Sequence, residues 1–154
     1  MDAEELIKKA VEQRNRGRFE EAIISARAAT AMDPENANAW WQLALNNYSI
    51  GKVDAALVAV RETNDLAPDF AQGWSKRGSW ELEVGEASEA ESSFEIALEC
   101  DDEDLIALRG LAKIYGELDY VKGEKRAEEI QLLTKLDQLE TLGFKSQVHN
   151  QLSH

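Results

Sequence analysis

The chain has 154 residues, about one domain's worth, and 44% hydrophobic against 31% charged residues suits a folded chain rather than a disordered one. Thirty acidic against seventeen basic residues leave a formal charge of −13, so no basic stripe offers counterion release to a nucleic acid, and an anionic membrane surface is disfavoured. No apolar run approaches the ~18 residues that span a bilayer, the opening MDAEELIKKA lacks the basic and apolar segments of a signal peptide, and the one cysteine, Cys100, excludes an internal disulfide framework. The expectation is a cytoplasmic protein without membrane or nucleic-acid partners.

Along the chain the same elements return every 34 residues. Gly17, Gly51 and Gly85 keep that interval, as do Pro34 and Pro68, Ala22, Ala56 and Ala90, and Trp40 and Trp74. The period divides the chain into blocks 3–36, 37–70 and 71–104, followed by a degenerate fourth block with a long capping helix over 105–142 and a polar tail over 143–154. In the first block a helix bearing Leu6 and Lys9 reaches the turn RGRF, and a second helix with Ala22 and Ala29 ends at MDPEN. The second block repeats this more regularly: Trp40, Leu43, Ala44 and Ile50 mark the inner face of its first helix. After Gly51, Val53, Ala56, Leu57 and Val60 follow at the spacing of one buried helical face.

The third block departs from the pattern with Arg77 and Glu81 where apolar residues are expected, Trp80 standing next to them, and Asp102 in the place of the proline. The fourth keeps Leu108, Leu111, Ala112, Tyr115 and Leu118 at first-helix spacing. Its second half reads as an amphipathic helix over about 122–142 with Ile130, Leu133, Leu136, Leu139 and Leu142 as its apolar side. Each glycine suits the left-handed residue that ends a helix, and each proline the first turn of the next. No alternating strand with hairpin chemistry competes, so an all-α fold of stacked antiparallel helix pairs is expected.

The stretch WWQLALNNYSIGKVDAALVAVRETNDLAP, with GRFEEAIISARAATAMDPEN as a second half-repeat, resembles the tetratricopeptide repeat. That resemblance implies a right-handed α-solenoid, closed here by a C-terminal capping helix, whose first helices line a concave groove that takes peptides. It also gives the adjacent tryptophans different roles. Neighbouring helical residues point about 100° apart, so Trp40 and Trp41 cannot share one face. Trp40 belongs to the packing between helices. Trp41 begins a second stripe with Leu45 and Tyr48 on the groove side.

Carried across the blocks, the groove face holds Ile7, Val11 and Arg14, then Trp41, Leu45 and Tyr48, then Ser75, Ser79 and Leu82, then Arg109 and Lys113. It is expected to be apolar over the first two blocks and to turn polar, then basic. Truncating Trp41 is expected to weaken partner binding, the alternative being that Trp41 and Leu45 only fill the inner curve. Some members of the family hold the acidic tails of heat-shock chaperones in a carboxylate clamp. The matching positions here are Ile7, Val11, Gln42, Gln72 and Lys76, of which only Lys76 carries a positive charge, so that clamp is not expected.

Reactive chemistry is not expected. Cys100 aligns with Met32 and Leu66 and is read as a core residue in the last turn of a helix. His149 and His154 lie in the tail, off the spacing that joins two helical metal ligands. The acidic runs at 2–5 and 101–104 read as helix starts, where carboxylates favour the macrodipole. The expected function is a non-catalytic interaction module, without cofactor or metal, that binds a protein or peptide partner. The alternatives are a homo-oligomer joined through the groove or the C-terminal helix, and a regulatory subunit of a larger enzyme complex.

Overall fold

The structure, a computed structural model, describes residues 1–117 and 124–152, with side-chain surroundings defined for 1–116 and 128–143. The described residues form eight helices: α1 (Ala3–Asn15), α2 (Phe19–Met32), α3 (Ala37–Ser49), α4 (Val53–Leu66), α5 (Ala71–Glu83), α6 (Ala87–Cys100), α7 (Leu105–Glu117) and α8 (Glu124–Leu152). Leu118 and the side chains of His149 and His154 lie outside the described residues.

Side chains and glycines set the helix ends. Asp2 Oδ1 accepts the Glu5 N–H at 2.8 Å and Asp104 Oδ1 accepts that of Ala107 at 2.9 Å, so both acidic runs serve as helix starts. Gly17, Gly51 and Gly85 have φ of 75°, 80° and 85°, and the residue after each donates back to a carbonyl five residues earlier. That closure satisfies the last turns of α1, α3 and α5 and reverses the chain, and only glycine adopts it without strain.

Consecutive helices pack as antiparallel pairs. Among the odd-numbered helices α1 also packs on α3 and α5 on α7, closer than any approach among α2, α4 and α6, which sets the odd helices on the inner side of the curve. Fully buried alanines at 22, 26, 29, 56, 90 and 97 bring the helices close, with Leu43, Leu57, Val60 and Trp80 filling the space between the first three pairs. Trp40 packs against this core, and its indole N–H donates to the Pro34 carbonyl at 2.8 Å. Trp74 repeats the bond to Pro68 at 2.8 Å, so the tryptophan–proline pairs tie each first helix to the turn before it.

The irregular third block buries charge rather than avoiding it. Glu81 is enclosed next to Trp80, accepts the Ser93 hydroxyl at 2.5 Å and lies 3.6 Å from Arg77 Nε. Arg77 in turn donates to Asn64 and lies over the Trp74 ring at 5.3 Å.

Two expectations need correction. Cys100 is exposed, as are Met32 and Leu66: the three positions are equivalent, but they stand on the outside of the last turn and not in the core. On α8, Leu132 packs against α6 and α7, with Leu136 and Leu139 half-buried, while Ile130, Leu133 and Leu142 are exposed. Steps of three residues turn about 300°, so a series at that spacing drifts around the helix by about 60° per step and cannot keep to one face. The helix also runs on to Leu152, past the expected end near 142.

Candidate functional site

The inner face is built from the odd helices because their second apolar stripe has no partner within its own pair. On α3, Trp41 and Leu45 are half-buried against the core and Tyr48 is 36% exposed. Trp41 meets Phe70 edge-on, with ring centroids 5.1 Å apart at 88°, at the start of α5. Together with Asn38, Thr63 and Ala67 they line an open, largely apolar pocket of about 330 Å³ between α3 and the end of α4.

Further along the groove, α3 and α5 meet more sparsely, and Tyr48 spans the gap. Its ring stacks on Trp80 at 5.0 Å, and its hydroxyl donates a short hydrogen bond to Glu83. The bonded carboxylate, burial and the negative charge of Glu83 all disfavour the phenolate and raise the Tyr48 pKa above its ordinary value.

A second pocket, of about 410 Å³, opens between α5 and α7. Its floor is the ring of Phe94, and Ser79, Leu82 and Ile106 contribute walls, with Arg109 and Lys113 on the rim. The ring is held on edge between two glycines: a Cβ on Gly78 would lie 2.6 Å from Phe94 Cε1, and one on Gly110 would overlap the opposite edge at Cε2 and Cζ.

Of the residues expected in the groove, Trp41, Leu45, Tyr48, Ser79, Leu82, Arg109 and Lys113 thus reach the inner surface, and Val11 and Arg14 are half-buried on α1. Ile7 and Ser75 do not contribute surface. Ile7 packs with Ala29 and Ala39, and Ser75 is 0% exposed with its hydroxyl turned to the Gln72 carbonyl. Asn38 and Phe70 at the first pocket, and Phe94 buried at 1% exposure beneath the second, were not expected. Phe70 lies in the loop after Pro68, and Phe94 on an even helix, so neither falls on a first-helix stripe. The glycines inside α5 and α7 were the available signal, because glycine within a helix is unfavourable unless something must come close.

The carboxylate-clamp positions do not converge as cations. Ile7 is in the core, and Gln42 is buried with its amide donating to Asn38, which leaves Lys76 as the one cation among the five. Cys100 is exposed, yet its thiol is disfavoured from ionising by desolvation and by the charges of Asp69 and Glu99, which raise its pKa. Among the described residues no three His, Cys, Asp or Glu side chains are grouped to hold a metal, and no helix is long and apolar enough to cross a membrane.

Residues 7–69 match the family model described as "Tetratricopeptide repeat". The chain is 33% identical over 96 residues to the Hsp70-Hsp90 organizing protein of Triticum aestivum, covering 62% of this chain and 16% of that protein. It thus spans less than a fifth of that relative's length. Among solved structures it is similar to that of MamA, with a TM-score of 0.81 and 22% identity over 93% of this chain and 81% of the other. It is also similar to the first tetratricopeptide domain of Spaghetti (RPAP3), solved with an HSP90 peptide, with a TM-score of 0.72 and 23% identity over 75% of this chain and 91% of that one. At these identities the structural likeness speaks for the fold: a helical solenoid of tetratricopeptide type.

Proposed function

We propose that this chain, a member of the tetratricopeptide-repeat family, is a non-catalytic interaction module that holds an extended peptide or a helix of a partner protein along its inner face. The observation that carries the reading is the Trp41–Phe70 pocket. A large aromatic pair lines an open cavity on the surface of a chain otherwise crowded with carboxylates, and contiguous apolar surface of this kind marks interaction sites. The similar domain solved with an HSP90 peptide supports peptide binding as a use of this fold. The clamp positions Ile7, Val11, Gln42, Gln72 and Lys76 speak against the same ligand here, since one cation cannot fix a doubly charged terminus. A single unpaired cysteine is in keeping with a reducing, cytoplasmic setting.

A displayed random peptide library panned on the full chain tests this reading. Peptides enriched on the wild type should lose binding at least tenfold to a Trp41→Ala, Tyr48→Ala variant that keeps its helical circular dichroism. Equal binding to both would move the interface away from the inner face.

A second reading, self-association through α8, is favoured by the exposed Ile130 and Leu133 on that helix. Light scattering on the full chain and on an Ile130→Lys, Leu133→Lys variant separates the two: a dimer in the first and a monomer in the second would support it.

A further inference from the structure

The outer surface of the first two blocks carries a pattern that packing within the chain does not use. On α2, Ile24, Ala28 and Ala31 fall at i, i+4 and i+7 and so share one face, and all three are exposed, Ile24 at 67%. Met32, 56% exposed, extends this face at its C-terminal end. The opposite side of α2 is in the core, through Ala22, Ile23, Ala26 and Ala29. A surface helix ordinarily turns a polar side outward, and one that is apolar on both sides calls for a second partner.

The repeat sets the same positions side by side on the next outer helix. At an interval of 34 residues, Glu20, Ile24, Ala28 and Ala31 of α2 become Asp54, Val58, Glu62 and Asp65 of α4, all exposed. Both helices pack on α3 and so stand next to each other on the outside of the curve. An apolar row on α2 therefore runs alongside an acidic row on α4. At the same place on α6 stands Ser92, so the apolar surface ends with the second block.

The acidic row is not neutralised from within. Asp54, Glu62 and Asp65 make no ion pair among the described residues. Arg61, the one cation of α4, is 3.8 Å from Glu86 at the start of α6, and Arg18 is 3.8 Å from Glu21. Arg27 on α2 and Lys52 before α4 are the cations left over, and with Glu20 the unpaired carboxylates outnumber them.

We infer that the outer face of α2 and α4 is a second docking surface, whose occupant is an amphipathic helix of a partner protein with lysine or arginine beside its apolar stripe. The stripe lies on Ile24, Ala28 and Ala31, and the basic side chains meet Asp54, Glu62 and Asp65. The small side chains at 28 and 31 let a helix approach α2 closely, and Ile24 and Met32 supply the larger apolar contacts. An extended segment suits this surface less well, because the outer helices satisfy their own backbone groups and would leave those of a strand without partners. The surface is separate from the inner face and leaves it free.

The test uses the full chain and a synthetic helix about four turns long, N-acetylated and C-amidated, with leucines on one face and lysines along one flank. Backbone amide chemical shifts report where it binds. Two control peptides have the same composition in scrambled order, or Glu in place of every Lys. The patterned basic helix should bind about tenfold more tightly than either, and perturb Ile24, Ala28 and Ala31 together with Asp54, Glu62 and Asp65. Ile24→Gln should weaken it about fivefold. Asp54→Asn with Glu62→Gln and Asp65→Asn should weaken it about tenfold and flatten its salt dependence. These side chains are exposed, so the variants should keep their helical circular dichroism. The Trp41→Ala, Tyr48→Ala variant should bind the helix as the wild type does.

Equal binding by the scrambled peptide, no shift with any peptide, or affinity that survives the changes on α2 and α4 would overturn the docking surface. Shifts confined to α3, α5 and α7, and lost in Trp41→Ala, Tyr48→Ala, would overturn it while the inner-face reading stands. Shifts at α2 and α4 that grow with protein concentration alone would assign the surface to a second copy and overturn the basic helix as its occupant.

Discussion

Replacing Gly78 by alanine tests the packing that builds the second pocket. In an ordinary helix the change is favourable by about 1 kcal/mol, because alanine loses less backbone entropy than glycine. Here the new Cβ would lie 2.6, 2.7 and 3.0 Å from Cε1, Cδ1 and Cζ of Phe94, where carbon atoms normally approach to about 3.5 Å. The ring would have to retreat by roughly 0.9 Å, and its far edge is already stopped by Gly110 on α7.

With neither direction open, the strain belongs at the upper end of the overpacking range, about 3 kcal/mol, leaving a net loss of about 2 kcal/mol. For a domain of this length that corresponds to a fall in Tm of roughly 4–8 °C. Thermal denaturation followed by circular dichroism measures it. A Phe94→Leu background removes the ring edge, so the same Gly78→Ala change should there be neutral or stabilising. A rise in Tm for Gly78→Ala alone, or the same shift in both backgrounds, would refute the edge-wedged ring.

Trp40→Ala should lower stability by about 2–3 kcal/mol, less than for a fully enclosed tryptophan because the ring is half-buried, and Trp40→Phe by only about 1 kcal/mol through loss of the bond to Pro34, both measured by urea denaturation. Arg77→Ala should cost about 3 kcal/mol because Glu81 is left buried with the Ser93 hydroxyl, whereas a paired Arg77→Leu, Glu81→Met change should be close to neutral in the same assay. The raised pKa of Cys100 means that the thiolate is scarcer at a given pH than in an ordinary thiol. The pH midpoint of its alkylation rate should therefore lie above that of a cysteine in an unstructured peptide, and Asp69→Asn should bring it down. Tyr48 should ionise above its ordinary pKa in a spectrophotometric titration, and Glu83→Gln should lower the value by removing the charge that opposes the phenolate.

The fold was legible because its signal is redundant: glycine, proline, alanine and tryptophan positions recur at one interval, and each has a local reason to be there. The second apolar stripe of α3 was visible in the spacing of Trp41, Leu45 and Tyr48, of which the structure sets Trp41 and Leu45 half-buried against the core and Tyr48 36% exposed. What escaped were features that depend on two elements meeting. Phe70 joins Trp41 from a loop, and Phe94, 1% exposed, packs from an even helix into the space left by glycines on α5 and α7. Cys100 shows the limit of alignment within the chain: equivalence to Met32 and Leu66 identified a shared environment correctly, but hydrophobicity alone misjudged it as the core. On α8 the leucines at intervals of three wind around the helix, and only packing against α6 and α7 decides that Leu132 is held against their core.

The most direct measurement of the central claim is photo-crosslinking of a library-selected peptide carrying a benzophenone side chain to the full chain, with the sites read by mass spectrometry. Crosslinks on Trp41, Leu45 and Tyr48 of α3, extending to α5 and α7, are the predicted result. Crosslinks confined to the outer surfaces of α2, α4 and α6, undiminished by Trp41→Ala, would contradict it.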